Sequence, residues 1–138
     1  MVRSGDLVQI ELTIESLTAL ENIVIDDLLP AGLEIENARL ETTADKRQLN
    51  TKLIQTASLF THRRLDVRDD RLIVMGTLNG AGAGQFIYLA RAVTPGTFII
   101  PPVRGECMYD IGTHSISSGG QILKVVNGAD AAVARSQK

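Results

Sequence analysis

The residues of this chain that could do chemistry are few and stand apart from one another. The nearest approach to a cofactor motif is the segment 80–84, which reads Gly-Ala-Gly-Ala-Gly. A phosphate-binding loop leads into a helix N-terminus and is followed by Lys and Ser or Thr. Here residues 85–88 are typical of a strand, and no Lys-Ser/Thr pair follows. The segment therefore predicts a flexible hairpin loop, and we expect no cofactor.

Nucleophiles and metal ligands are equally isolated. The two histidines, His62 and His114, have no further His or Cys at the spacing of a metal site. Ser115, Ser117 and Ser118 lie near His114 but lack the strained G-x-S-x-G turn that exposes a hydrolase nucleophile. We therefore expect no catalytic residue, no metal site and no enzymatic activity.

Residues 107–109 combine a thiol, a thioether and a phenol. Cys107 is the only cysteine, so no internal disulfide can form, and we expect it to pack as a small apolar residue or to be a partly exposed bystander. Met108 and Tyr109 follow it. A thioether and an aromatic face exclude water, while a phenol hydroxyl can bond at the rim of a pocket. The pair fits a strand end equally well.

Composition excludes several function classes. The 138 residues carry a net charge of −2, which gives no basic surface for nucleic acid or an anionic membrane. No apolar run approaches the roughly 18 residues that span a bilayer. The first residues lack the apolar region of a secretory signal, which suggests a cytosolic protein. A strand pattern that starts directly after Ser4 is equally consistent with a fragment of a longer chain.

The apolar pattern predicts a mostly β fold, a two-sheet antiparallel sandwich of roughly seven to nine strands. The clearest strand covers residues 8–15, where apolar and polar side chains alternate. We predict further strands at 23–25, 33–40, 65–67, 72–77, 86–93, 97–103 and 121–126, with a charged hairpin tip at 68–71. The predicted core consists of Val8, Ile10, Leu12, Ile14, Ile23, Ile25, Leu72, Val74, Phe86, Tyr88, Phe98 and Ile100.

One segment has the period of a helix. Between residues 44 and 60, Leu49, Leu53, Ala57 and Phe60 recur at steps of four, four and three. This predicts a single inserted helix, with Asp45 as its N-cap. The domain is expected to cover residues 5–126, and residues 127–138 are expected to form a disordered tail because they have no core to join.

Three segments, in order, resemble one family. They are Gly5-Asp6-Leu7-Val8 with residues 27–37 (DLLPAGLEIEN), Arg68-Asp69-Asp70-Arg71, and residues 88–109 (YLARAVTPGTFIIPPVRGECMY). Together they resemble the C-terminal, receptor-binding-like domain of bacterial alpha-2-macroglobulins, large exported proteins that trap proteases. The resemblance runs from residue 5 to residue 126 and implies a macroglobulin-type, immunoglobulin-like sandwich in a protease (endopeptidase) inhibitor.

The resemblance also implies a role for Met108 and Tyr109. In that family a Cys and a Gln of a neighbouring thioester domain form a strained acyl bond, and a Met-Tyr pair of the C-terminal domain shields it from water. This chain lacks the family's Cys-x-Glu-Gln motif, so Cys107 is not the acylating residue. The residues after the pair, Asp110 onward, also depart from the family's usual aromatic or Pro-containing sequence. The implied partners are the thioester domain of the parent chain and, through the full-length protein, target proteases; no small-molecule substrate is implied. The implied location is periplasmic, or on a membrane-anchored parent protein.

A second interpretation is a cell-surface adhesion or interaction module. Residues 25–33 (IDDLLPAGL) also resemble strand-turn segments of repeat domains on bacterial surfaces. Those domains lack the LARAVTPGTF…PP…MY stretch and the helical insertion, so this alternative ranks second. A free-standing enzyme ranks third.

Overall fold

The computed structural model describes residues 1–36 and 59–128. These residues form eleven strand segments and no helix. The segments are β1 (Val2–Arg3), β2 (Leu7–Ser16), β3 (Leu20–Leu28), β4 (Leu33–Ile35), β5 (Phe60–Val67), β6 (Arg71–Leu78), β7 (Gly82–Ala92), β8 (Gly96–Ile99), β9 (Arg104–Cys107), β10 (Asp110–Ile116) and β11 (Ile122–Val126).

The strands form a sandwich, as the alternation of residues 8–15 predicts. One sheet has the order β10-β9-β3-β6-β5, and the facing layer contains β2-β7-β4 and the small sheet β1-β11-β8. Pairing is antiparallel except between β1 and β11, which run parallel. The mostly β sandwich is confirmed. No helix among the described residues is long and apolar enough to cross a membrane.

The core divides into two clusters between the layers. The first is built around the fully buried Leu72, Val74 and Leu78, and the second around Ala90 and Ala92 of β7. The predicted facing of the strands is correct: the predicted core residues are buried or half-buried. The predicted core omits several buried residues: Leu29, Leu33, Phe60, Leu78, Ala90, Ala92 and Val125.

Strands β8 to β11 form one long hairpin that bends from one sheet to the other. Ile99 pairs with Ile122 just before the bend, and Cys107 pairs with Asp110 at the tip of the hairpin. Between them, Ile100 donates to the carbonyl of Gln121 and accepts from Gly120. On one side of the bend, β8 and β11 belong to the small sheet; on the other side, β9 pairs with β3 in the five-stranded sheet.

The bend has a local cause in proline and glycine. Pro101 and Pro102 have no N–H for a ladder, so regular pairing stops there. Across from them Gly119 has φ +23°, and a Cβ on it would lie 2.7 Å from the nitrogen of Pro102. Only glycine allows this approach. The strand predicted for residues 97–103 therefore ends at Ile99 and resumes only at Arg104.

The glycine-rich segment is not the flexible loop that its composition predicts. Strand β7 begins at Gly82 and already pairs with β2 there. Gly84 is buried, and a Cβ on it would stand 2.5 Å from the Cβ of Phe60. The two layers pack so closely at position 84 that only glycine fits there, and a local sequence pattern does not show this.

Three further expectations differ from the described residues or fall outside them. Phe60, the predicted end of the helix, opens β5 instead; residues 44–58 of that helix lie outside the described residues. The structure has eleven described strand segments where seven to nine strands were predicted, because bends divide long strands into shorter segments. The predicted tail lies outside the described residues from 129 onward, and sheet pairing starts at Val2, ahead of residue 5.

Candidate functional site

Met108 and Tyr109 form the turn at the tip of the bent hairpin, between β9 and β10. The side chain of Met108 is half exposed, at 50%, and that of Tyr109 is exposed at 82%. The structure therefore places both residues at a strand end and in solvent, where the sequence predicted them. Their role in shielding a thioester stays a prediction.

The turn is held firmly on the side of β3. The Met108 N–H donates to the carbonyl of Asn22 at 3.0 Å. Asn22 has φ 54°, a left-handed conformation that asparagine tolerates better than most residues. Directly before the turn, Cys107 is buried and pairs with Ile23. The two exposed side chains are thus mounted on an ordered backbone.

Asp110 fixes the other side of the turn. Its carboxylate accepts from the Thr113 hydroxyl at 2.6 Å and from the Gly112 N–H at 3.2 Å. These bonds close a small loop where the β9–β10 pairing is irregular between Asp110 and His114. The loop directs Ile111 into solvent, where it is 94% exposed.

The surrounding end of the sandwich is also apolar. Leu17, in the connection from β2 to β3, is 94% exposed and lies at the same end as the turn, because β3 begins beside Asn22. Leu17, Met108, Tyr109 and Ile111 thus give this end four large exposed hydrophobic side chains. Ordered apolar side chains grouped at one surface are typical of a contact site.

Cys107 is unsuited to nucleophilic chemistry. Burial raises the pKa of its thiol, and the negative charge of Asp110 raises it further. The thiolate, which is the reactive form, is therefore disfavoured. Cys107 contributes to the first core cluster, as the small apolar residue that the sequence predicted.

The remaining candidates do not assemble into a reactive site. The ring of His62 packs edge-on against Phe86 at a centroid distance of 5.3 Å, while the Nδ1 of His114 lies 3.3 Å from the carbonyl oxygen of Ile111. Ser117 accepts from the Val103 N–H. Within residues 1–36 and 59–128, no group of three His, Cys, Asp or Glu side chains is placed to hold a metal ion.

A buried polar pair between the layers was not predicted. The hydroxyl of Tyr88 on β7 donates to the carboxylate of Asp27 on β3 at 2.6 Å. Burial raises the pKa of Asp27; the Tyr88 bond lowers it, and the neighbouring Asp26 raises it. Burial, reinforced by the same bond, also raises the pKa of Tyr88, so its hydroxyl stays a donor. The two residues stand 61 positions apart, so no local pattern joins them.

Comparison with known proteins identifies the family. Residues 1–110 match the family model described as the bacterial alpha-2-macroglobulin MG10 domain, a match that includes the Met108–Tyr109 turn. The chain belongs to the bacterial alpha-2-macroglobulins. It is 36% identical over 115 residues to an alpha-2-macroglobulin of Escherichia coli, covering 78% of this chain and 7% of that protein.

Solved structures of this family show the same fold. Trypsin-activated alpha-2-macroglobulin from Escherichia coli matches with a TM-score of 0.80 and 30% identity, over 91% of this chain and 9% of that one. A native Escherichia coli structure spanning domain MG7 to the C-terminus matches with a TM-score of 0.73 and 32% identity, over 91% and 20%. This chain therefore corresponds to a small part of its relatives.

Proposed function

We propose that this chain is a non-catalytic domain of a protease-trapping alpha-2-macroglobulin, and that its Met108–Tyr109 turn packs on the thioester domain of the parent chain. The turn would keep water from the strained acyl bond until a protease is trapped. The observation that carries this proposal is an ordered turn whose two water-excluding side chains are left uncovered by the domain itself.

The position in the parent chain is part of the proposal. We place the domain in the C-terminal part, next to the thioester domain. The Escherichia coli structure that runs from MG7 to the C-terminus contains a matching domain, which supports this placement. An inhibitor that meets proteases outside the cell would place its parent in the periplasm or on a membrane anchor.

The geometry explains how such a shield would work. The bond from Met108 to Asn22 and the buried Cys107 fix the backbone of the turn, so little conformational entropy is lost when a partner covers it. Tyr109 can lay its ring over an apolar surface and keep its hydroxyl at the rim. The domain supplies cover and no reacting group.

The test is the lifetime of the thioester in the full-length parent. Tyr109→Ala should speed spontaneous hydrolysis, seen as earlier appearance of a free thiol and loss of methylamine reactivity. A tenfold acceleration would correspond to about 1.4 kcal/mol of lost protection.

Val67→Ala is the matched control. Val67 is also an exposed apolar residue, at 55%, but it lies on β5 at the opposite end of the sandwich. It should leave the thioester lifetime unchanged. An unchanged lifetime in the Tyr109 variant, or equal acceleration in both variants, would refute the shielding role.

A further inference from the structure

A groove opens along one side of the sandwich, and neither Met108 nor Tyr109 lines it. Its volume is about 420 Å³, and it lies between β2 and the hairpin strands β9 and β10. It exists because the hairpin bends away to the other sheet. On one side of the bend, β11 pairs with β1. On the other side, where the hairpin belongs to the five-stranded sheet, no described strand pairs with the outer edge of β2.

Among the described strands, none pairs with the outer backbone edge of β2 at residues 11–16, here called the upper half of β2. The Ala92 N–H donates to the carbonyl of Asp6, so the backbone groups of even-numbered residues of β7 point towards β2. The Glu36 N–H donates to the carbonyl of Leu89, so those of odd-numbered residues point towards β4. The register pairs residues of equal parity on β2 and β7. In an antiparallel ladder the alternate residues point away from the partner. On β2 these are the odd-numbered residues along the groove: Glu11, Thr13 and Glu15.

The floor of the groove is open enough to take side chains. Gly105 on β9 pairs with the buried Ile25 and so faces inward, yet a Cβ placed on it would meet no atom within 4 Å. Leu12, Ile14 and Val103 add apolar walls. A strand added to β2 would direct every second side chain onto this floor.

The other face of such a strand would meet negative charge. Glu11 and Glu15 lie on the outer face of β2, and Glu106 also lines the groove, whereas no Lys or Arg lines it among the described residues. Gln85 donates to one oxygen of Glu11 at 2.6 Å. Opposite charges in directly facing cross-strand pairs stabilise pairing, and like charges oppose it. A second copy of this chain adding through the same β2 edge would place glutamates against glutamates.

We propose that this groove receives an extended segment of the parent polypeptide, in which apolar residues alternate with Lys or Arg, as an additional strand on β2. The choice of the parent as the source rests on the proposed function: this chain matches only 7% of the length of its Escherichia coli relative, and a parent of that length would hold most of its residues outside this domain.

The first test uses this chain and a seven-residue peptide of alternating Lys and Val, with a Glu-Val peptide as the charge control. NMR titration should show shifts confined to β2 and Gly105 with the Lys-Val peptide, and weaker binding of the Glu-Val peptide. Gly105→Val fills the floor and should weaken binding by about tenfold. Gly128→Val is the matched control, since a Cβ there also meets nothing within 4 Å, and it should bind as the unmodified chain does.

A second variant tests the backbone edge. Thr13→Pro removes one outward N–H without breaking a bond to β7, and should also weaken binding. No binding of the Lys-Val peptide, or binding that both Gly105→Val and Thr13→Pro leave unchanged, would overturn the proposal. Melting temperatures of the variants identify any that fail to fold.

A third measurement decides the occupant. Amides of Glu11, Thr13 and Glu15 should exchange rapidly in this chain and be protected in the full-length parent. Equal exchange in both would overturn the proposal, and so would protection in this chain accompanied by a dimer in sedimentation. These variants leave Met108 and Tyr109 intact, so the outcome is independent of thioester shielding.

Discussion

The sandwich ends in two hairpin tips of opposite chemistry. The β5–β6 tip carries Arg68, Asp69 and Asp70, followed by Arg71; the β9–β10 tip carries Met108 and Tyr109. They lie at opposite ends, because the β3–β6 pairing places Leu28 next to Arg71, whereas Asn22 at the other end of β3 bonds to Met108. One tip is charged and the other is apolar.

At the charged tip, both arginines form ion pairs with nearby aspartates. Arg68 pairs with Asp66 at 3.0 Å, and Arg71 pairs with Asp70 at 3.0 Å and with Asp26 at 3.2 Å. The Arg71 hydrogen bond lowers the pKa of Asp70, which keeps the carboxylate ionised. Such a tip is stable in water and requires no partner.

The apolar tip is satisfied only along its backbone. The Met108 N–H donates to the carbonyl of Asn22 and Cys107 pairs with Asp110, while the side chains of Met108 and Tyr109 project into solvent. The comparison teaches that exposure has two meanings in one domain. At the charged tip it leaves ion pairs in water, and at the apolar tip it leaves two apolar side chains that the proposed contact would cover.

The largest expected effect separates the core from both tips. Leu72 follows the charged tip directly and is only 2% exposed, so Leu72→Ala should lower the free energy of unfolding by about 2–5 kcal/mol. Urea denaturation measures the change. Ile111→Ala, 94% exposed beside the apolar tip, is the control and should stay within about 0.5 kcal/mol. Equal losses would mean that the apolar tip is part of the core.

The next effect is a pH dependence that belongs to the buried pair. The pKa of Asp27 in the folded chain lies above its usual value of 3.8, so the folded state holds the proton more tightly. Its contribution to stability is therefore full below the unfolded pKa and is lost as pH rises through the folded pKa. Asp27→Asn should remove this fall, so the variant gains stability relative to the unmodified chain as pH rises. Parallel pH profiles of unfolding free energy would contradict the prediction.

A smaller effect concerns the ion pairs of the charged tip. Arg71→Ala removes the contacts to Asp26 and Asp70, and should cause a small loss of stability at low ionic strength that shrinks as salt is added. Arg68→Ala removes a single ion pair that is more exposed, and should therefore lose less stability. Thermal unfolding at two salt concentrations makes the measurement. A loss that is independent of salt would show that Arg71 acts through packing.

The sequence predicted what local patterns encode. Alternation fixed the facing of β2, and the Arg-Asp-Asp-Arg run marked a true hairpin tip. The long hairpin was missed because β10 is exposed on both faces, so its residues show no alternation. Gly84 and Gly105 look alike in the sequence, yet one is required by Phe60 and the other faces open space. Non-local contacts decide such cases.

The same limit applies to the candidate site. The family resemblance implied a partner contact for Met108 and Tyr109, and the structure places both in solvent on a fixed turn. The Asp27–Tyr88 bond and the groove beside β2 could not be predicted, because each depends on how the two layers are superposed.

The smallest expected effect is the most informative for the apolar tip. Tyr109→Ala in this chain should change the free energy of unfolding by less than about 0.5 kcal/mol, since the residue is 82% exposed. A residue that stabilises only the assembled parent is silent in the separate domain, so the same substitution should act strongly on the thioester and weakly here. Chemical denaturation of the unmodified chain, of Tyr109→Ala and of Tyr109→Phe measures the change. A loss above about 2 kcal/mol in this chain would show that Tyr109 packs within its own domain, and the contrast between the two tips would then disappear.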